Sequence, residues 1–88
     1  MELLEWQVRQ VEWVESYTLL LTFADGKVKR VDLAEYLDKP IFKPLNDIDY
    51  FKQVSIEGSS VAWPNGADFA PEFLYSIGHE LKQRERGT

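Results

Sequence analysis

The residues of this chain with the widest chemical repertoire fall in one run, "AWPNGADFAPE", residues 62–72. Trp63, Asn65 and Asp68 supply an indole, an amide and a carboxylate, which could line a ligand pocket or the centre of an interface. The same run has a second reading as punctuation between a strand and a helix. Pro64 cannot donate a ladder hydrogen bond, so it ends the strand that holds Trp63. Asn65-Gly66 tolerates left-handed φ and turns the chain. Asp68 is a suitable N-cap, and Pro71 suits a first helical turn. Punctuation accounts for every unusual residue here and is the preferred reading.

Elsewhere the chemical groups do not assemble into a reactive pattern. Cysteine is absent, which removes thiolate catalysis, thiolate metal ligation and disulfides. The one histidine, His79 in "SIGHEL", is expected late in a C-terminal helix, facing the negative end of its dipole. The glycines are isolated turn formers with no phosphate-cradling spacing. Ser16, Ser55, Ser59, Ser60 and Ser76 lack a nucleophile elbow. Asp47 and Asp49, with Asp38 nearby, suggest a hard-cation cluster, but calcium needs about six to eight oxygens on a loop of fixed spacing. Caps and solvated faces explain these acids. The expectation is a protein that is not an enzyme, with no cofactor, metal or catalytic residue.

Binding is the remaining use for the aromatics. Trp6 and Trp13 sit among Glu5, Glu12 and Glu15, flanks that suit a partner with a basic groove. Trp63 defaults to the core. The candidate partner-binding residues are therefore Trp6, Trp13, Trp63, Asn65 and Asp68.

Composition narrows the class. Eighty-eight residues make one domain, 1–88. A chain of this size buries only roughly 60–65% of its unfolded surface, so self-association, a dimer for instance, is one available supplement. Hydrophobic residues at 44% and aromatics at 14% suffice for a packed core. The net charge is −5, from 15 acids and 10 bases. Apart from "KVKR" (27–30) and the tail "KQRERGT" (82–88), read as a frayed terminus, the bases are scattered. Direct nucleic-acid binding is disfavoured, because phosphate contacts dominate such affinity. No apolar run approaches the ~20 residues that span a bilayer, and "MELLEW" is no signal peptide. A cytoplasmic location, away from membranes, is expected.

The elements follow from periodicity. In "YTLLLTF", Tyr17, Leu19, Leu21 and Phe23 alternate with Thr18, Leu20 and Thr22, and Asp25-Gly26 supplies a hairpin turn. Val28 and Val31 lie in opposite phases, which suggests an irregularity on the return strand. An earlier strand from about Val8 to Val14 slips phase near Arg9-Gln10; a short amphipathic helix is the alternative. Asp32 and Glu35 form a capping-box pattern over "DLAEYL". "KPIFKPLND" reads as extended chain laid across the core, and "NDIDYFKQV" as a short helix with Ile48 and Phe51 inward. Val54, Ile56, Val61 and Trp63 flank "EGSS" as a second hairpin. Phe73, Leu74, Ile77 and Leu81 then share a helical stripe in "PEFLYSIGHELKQR".

The segments "YTLLLTFADGKVKRVDL", "IFKPLNDIDYFKQVSI" and "VAWPNGADFAPEFLY" together resemble the bacterial family called domain of unknown function 2442. The likeness runs from about Val8 to Tyr75 and is closest at "FADG", "VDL" and "WPNGAD". It implies a small α+β domain with an antiparallel sheet and a bacterial origin. It also implies occasional fusion to a helix-turn-helix segment or encoding beside toxin–antitoxin-like partners, and no established activity. The combined expectation is an α+β fold: an antiparallel sheet of about five strands from two hairpins and an N-terminal strand, with short helices and a C-terminal helix on one face. The leading function is a non-catalytic protein-interaction or regulatory module. A DNA-associated accessory factor, and then a small-ligand binder or enzyme, are the alternatives.

Overall fold

A computed structural model of the chain describes residues 5–81. Strand alternation builds its first sheet. In β1 (Val8–Glu15) and β2 (Thr18–Phe23) successive side chains face opposite ways, so Val8, Leu19, Leu21 and Phe23 are buried on one face. The two strands pair antiparallel with irregularities between Val8 and Gln10 and between Trp13 and Glu15. The first is the slip expected at Arg9-Gln10. β3 (Val28–Asp32) returns in unbroken register, from Thr18 opposite Asp32 to Thr22 opposite Val28. The irregularity suggested for this return strand is therefore absent; Val28 and Val31 simply occupy opposite faces. At the hairpin tip Gly26 adopts φ +91°, and the Asp25 carboxylate accepts the Lys27 amide at 2.9 Å.

The segment after β3 is held by side-chain caps and 3₁₀ turns. Asp32 Oδ1 accepts the Ala34 amide at 3.0 Å, opening a short 3₁₀ turn, Ala34–Tyr36, between buried Leu33 and Leu37. Pro40–Asn46, expected as extended chain, is instead a 3₁₀ helix. With three residues per turn, positions i and i+3 eclipse, which puts Phe42 and Leu45 together in the core. The same period places Pro40, Lys43 and Asn46 on another face. The helix α1 (Ile48–Phe51) begins at Asp47, whose carboxylate accepts the Asp49 amide at 3.0 Å. Phe51 is buried as expected, but Ile48 is 38% exposed.

The remaining strands form a second sheet and extend the first. β4 (Ser55–Glu57) and β5 (Ser60–Ala62) pair antiparallel around Gly58, and β6 (Asp68–Phe69) pairs with β5. "WPNG" is thus the turn of a hairpin, not the passage from strand to helix. α2 (Pro71–Ile77) follows, with Pro71 at its first turn and Ala70, not Asp68, at the N-cap. It stops at Ile77. His79 and Glu80 form a short strand, β7, that pairs with Arg30 and Lys29 on β3.

The helical stripe expected through Leu81 is broken for a packing reason. A Cβ at Gly78 would lie 2.9 Å from Lys29 Cβ and 3.1 Å from Val31 Cγ2. Glycine lets the chain leave α2 pressed against β3, and the backbone then joins the sheet. In place of one sheet of about five strands there are two antiparallel sheets, ordered β1-β2-β3-β7 and β4-β5-β6. Both sheets contribute to one core of Leu21, Phe23, Phe51, Val61, Trp63, Phe69 and Leu74, among others. Among the described residues no helix is long and apolar enough to cross a membrane. The tail 82–88, expected to fray, lies outside the described residues.

Candidate functional site

The β5–β6 turn ties its side chains to backbone elsewhere in the chain. Trp63 is buried, and its indole N–H donates to the Phe51 carbonyl at 2.8 Å. Its ring leans on Phe51 and meets Phe69 edge-on. Asn65 Oδ1 accepts the Ala67 amide at 3.0 Å, while Gly66 takes φ +91°. Asn65 Nδ2 donates to the Ile41 carbonyl at 3.0 Å. In a 3₁₀ helix the amide at position i serves the carbonyl at i−3, so Ile41 would be served by residue 44. That residue is Pro44, which has no N–H. Asn65 supplies the missing donor. Of the three candidate residues here, only Asp68 is exposed without a side-chain partner.

The other two candidates sit elsewhere. Trp13 is half-buried on β1; its indole donates to the Ser16 carbonyl at 2.9 Å, and Lys52 Nζ lies 4.7 Å above the ring centre. Trp6 is half-buried ahead of β1. The five residues do not converge on one site. The two tryptophans of the first segment belong with the four-stranded sheet, whereas Trp63, Asn65 and Asp68 belong to the three-stranded one. Asp38, Asp47 and Asp49 likewise form no metal site: among the described residues no three His, Cys, Asp or Glu side chains gather to hold an ion.

A concave surface does form on the outer face of the four-stranded sheet. Pairing sets Gln10, Thr22 and Val28 in one row and Glu12, Leu20, Arg30 and His79 in the next. Between this face and the second sheet lies a groove of about 290 Å³, lined by Gln10, Val11, Glu12, Leu20, Thr22 and Ile56. Its apolar walls are Leu20, half-buried, and Ile56, 37% exposed. Arg30 is neutralised by an ion pair with Glu15. Glu12, which lines the groove, has no charged partner among the described residues. Periodicity alone missed this groove, although its signal is visible: three consecutive leucines, 19–21, must place the middle one on the face opposite the core.

The inner face of that sheet is closed by α2. Tyr75 meets Phe23 edge-on at 4.9 Å, and its hydroxyl donates to the Asp25 carboxylate. Lys29 Nζ donates to the Tyr75 carbonyl at 2.6 Å and lies 3.7 Å from the centre of its ring. Burial pushes the Asp25 carboxyl up, but the Tyr75 hydroxyl, the Lys27 amide and the charges of Lys27 and Lys29 outweigh it. The net effect holds Asp25 below its ordinary 3.8. The same hydrogen bond, with burial and the Asp25 charge, raises the Tyr75 phenol above 10.0. These contacts fix the hairpin tip to α2 and leave the outer face of the sheet open.

Fold and groove together define an α+β domain of antiparallel sheets with a surface concavity. The chain belongs to the family described as Protein of unknown function (DUF2442), whose model matches residues 8–80. No curated protein and no solved structure matches it.

Proposed function

We propose that this protein is a non-catalytic interaction module whose outer sheet groove docks a cationic, apolar-tipped segment of a partner protein. The observation that carries this reading is the pairing of Leu20 and Ile56 as apolar walls with the unneutralised Glu12 beside them. An apolar contact supplies affinity, and an acidic neighbour selects a basic partner and speeds its approach. A second copy of the chain is disfavoured as the occupant, because the net charge of −5 repels its like. A regulatory, antitoxin-like protein in the bacterial cytoplasm, covering a basic surface of its partner, is the form such a module takes.

Co-purification from the native host, with mass spectrometry of what is retained, tests the class of partner. The expected result is a basic protein whose binding, repeated with purified components, weakens as salt rises from about 50 to about 500 mM. Retention of nucleic acid, released by the same salt step, would instead assign the module to the DNA-associated class.

A further inference from the structure

Four of the seven lysines and arginines among the described residues are engaged. Lys27 faces Asp25, Lys29 holds Tyr75, Arg30 pairs with Glu15, and Lys52 covers Trp13. Arg9, Lys39 and Lys43 have no such partner among the described residues. Two of these three line one cleft of about 390 Å³, together with Leu37, Asp38, Pro40 and Asn46. In a protein with a net charge of −5, two uncommitted ammonium groups at one concavity form a local reversal of sign.

The 3₁₀ helix builds one wall of this cleft. Its period of three stacks Pro40, Lys43 and Asn46 along one face, with Lys39 at the N-cap. The Asn46 amide donates to the carbonyls of Leu37, Phe42 and Lys43 at 3.2–3.4 Å, and the Tyr17 hydroxyl donates to the Asn46 carbonyl. The floor of the cleft is therefore pinned at both ends before any ligand arrives. A fixed floor lowers the ordering cost of binding, and the two exposed lysines supply the donors. Pro40 adds an exposed apolar surface beside the lysines.

We infer that this cleft binds a small organic anion, with its phosphate or carboxylate group between Lys39 and Lys43 and its apolar part against Pro40. The site is separate from the outer sheet groove and does not depend on the interaction reading. Asp38 on its rim opposes the anion and keeps the affinity modest.

The test is a two-dimensional ¹⁵N–¹H NMR titration of the full chain with phenyl phosphate, benzoate and inorganic phosphate, at ionic strength held constant with sodium chloride. Saturable shifts are expected for the amides of residues 37–46 other than Pro40 and Pro44 with phenyl phosphate or benzoate, and the tighter of the two identifies the anionic group. Inorganic phosphate should bind more weakly, because it forgoes the contact with Pro40. The double variant Lys39→Gln, Lys43→Gln should lose affinity roughly tenfold with an unchanged melting temperature, and Asp38→Asn should gain roughly threefold. All three side chains belong to exposed residues, so folding is not at stake. Absence of saturable shifts at residues 37–46, or affinities indifferent to the lysine pair, would overturn the assignment.

Discussion

The side-chain amide of Asn65 donates to the carbonyl oxygen of Ile41, 24 residues earlier in the chain, at 3.0 Å. That carbonyl is the one Pro44 leaves unserved, so a turn residue of one hairpin completes the hydrogen bonding of a distant 3₁₀ helix. Turn chemistry alone makes Asn65→Asp almost neutral, since aspartate also tolerates turns. The structure reverses that expectation. Aspartate keeps the acceptor for the Ala67 amide but removes the donor and sets a carboxylate against a carbonyl. A loss of about 1 kcal/mol is expected, because water can partly replace the bond at this exposed site. A urea midpoint equal to the wild type would show that the tie contributes nothing.

Gly78 separates two accounts of the C-terminal segment by sign. Glycine inside an exposed helix costs about 1 kcal/mol relative to alanine, so a continuous helix makes Gly78→Ala stabilising. With Lys29 Cβ and Val31 Cγ2 about 3 Å from the added methyl, the same change overpacks the contact of α2 with β3. A loss of about 1–3 kcal/mol is expected. A raised melting temperature would restore the helix.

The Tyr75–Asp25 contact makes a pH prediction with a defined direction. Asp25 titrates below 3.8 in the folded state, so its contribution is fully present above that value and is lost as pH falls through the folded pKa. Tyr75 titrates above 10.0, so its contribution is fully present below that value and is lost as pH rises through the folded pKa. Tyr75→Phe removes the hydroxyl that favours the ionised carboxylate. In a carbon-detected NMR titration the Asp25 pKa should rise relative to the wild type. An unmoved Asp25 titration in Tyr75→Phe would sever the proposed coupling.

Asp68 tests where α2 starts. As an N-cap its replacement by alanine would cost about 0.5–2 kcal/mol. On β6, exposed and without a side-chain partner, Asp68→Ala should change stability by less than about 0.5 kcal/mol. Chemical denaturation resolves the two values.

These contrasts show where sequence patterns sufficed. The first hairpin was legible because period-two alternation over residues 17–23 and Asp25-Gly26 act locally and agree. Family likeness was legible for the same reason, since "FADG", "VDL" and "WPNGAD" are contiguous. The C-terminal strand was hidden because Phe73, Leu74, Ile77 and Leu81 keep helical spacing across Gly78; only the approach of Lys29, 49 positions earlier in the sequence, ends the helix. Asp68 was misplaced as a cap, although Pro71 at the first helical position already implies Ala70 as the N-cap. The groove escaped because Ile56 and Leu20 lie in different hairpins, and period alone does not state which sheet each joins. The Pro44–Asn65 complementarity is long-range in the same sense.

The docking reading stands on the outer groove, and one comparison addresses it directly. Quantitative pull-downs from the native host would use the wild type, Ile56→Glu and Asp68→Ala as baits at equal loading. Ile56 is exposed and β4 lies at a sheet edge, so all three should melt alike. A basic protein retained by the wild type and by Asp68→Ala, but at least roughly tenfold less by Ile56→Glu, is the expected result. Equal retention by Ile56→Glu, or loss confined to Asp68→Ala, would contradict the groove and return the site to the β5–β6 turn.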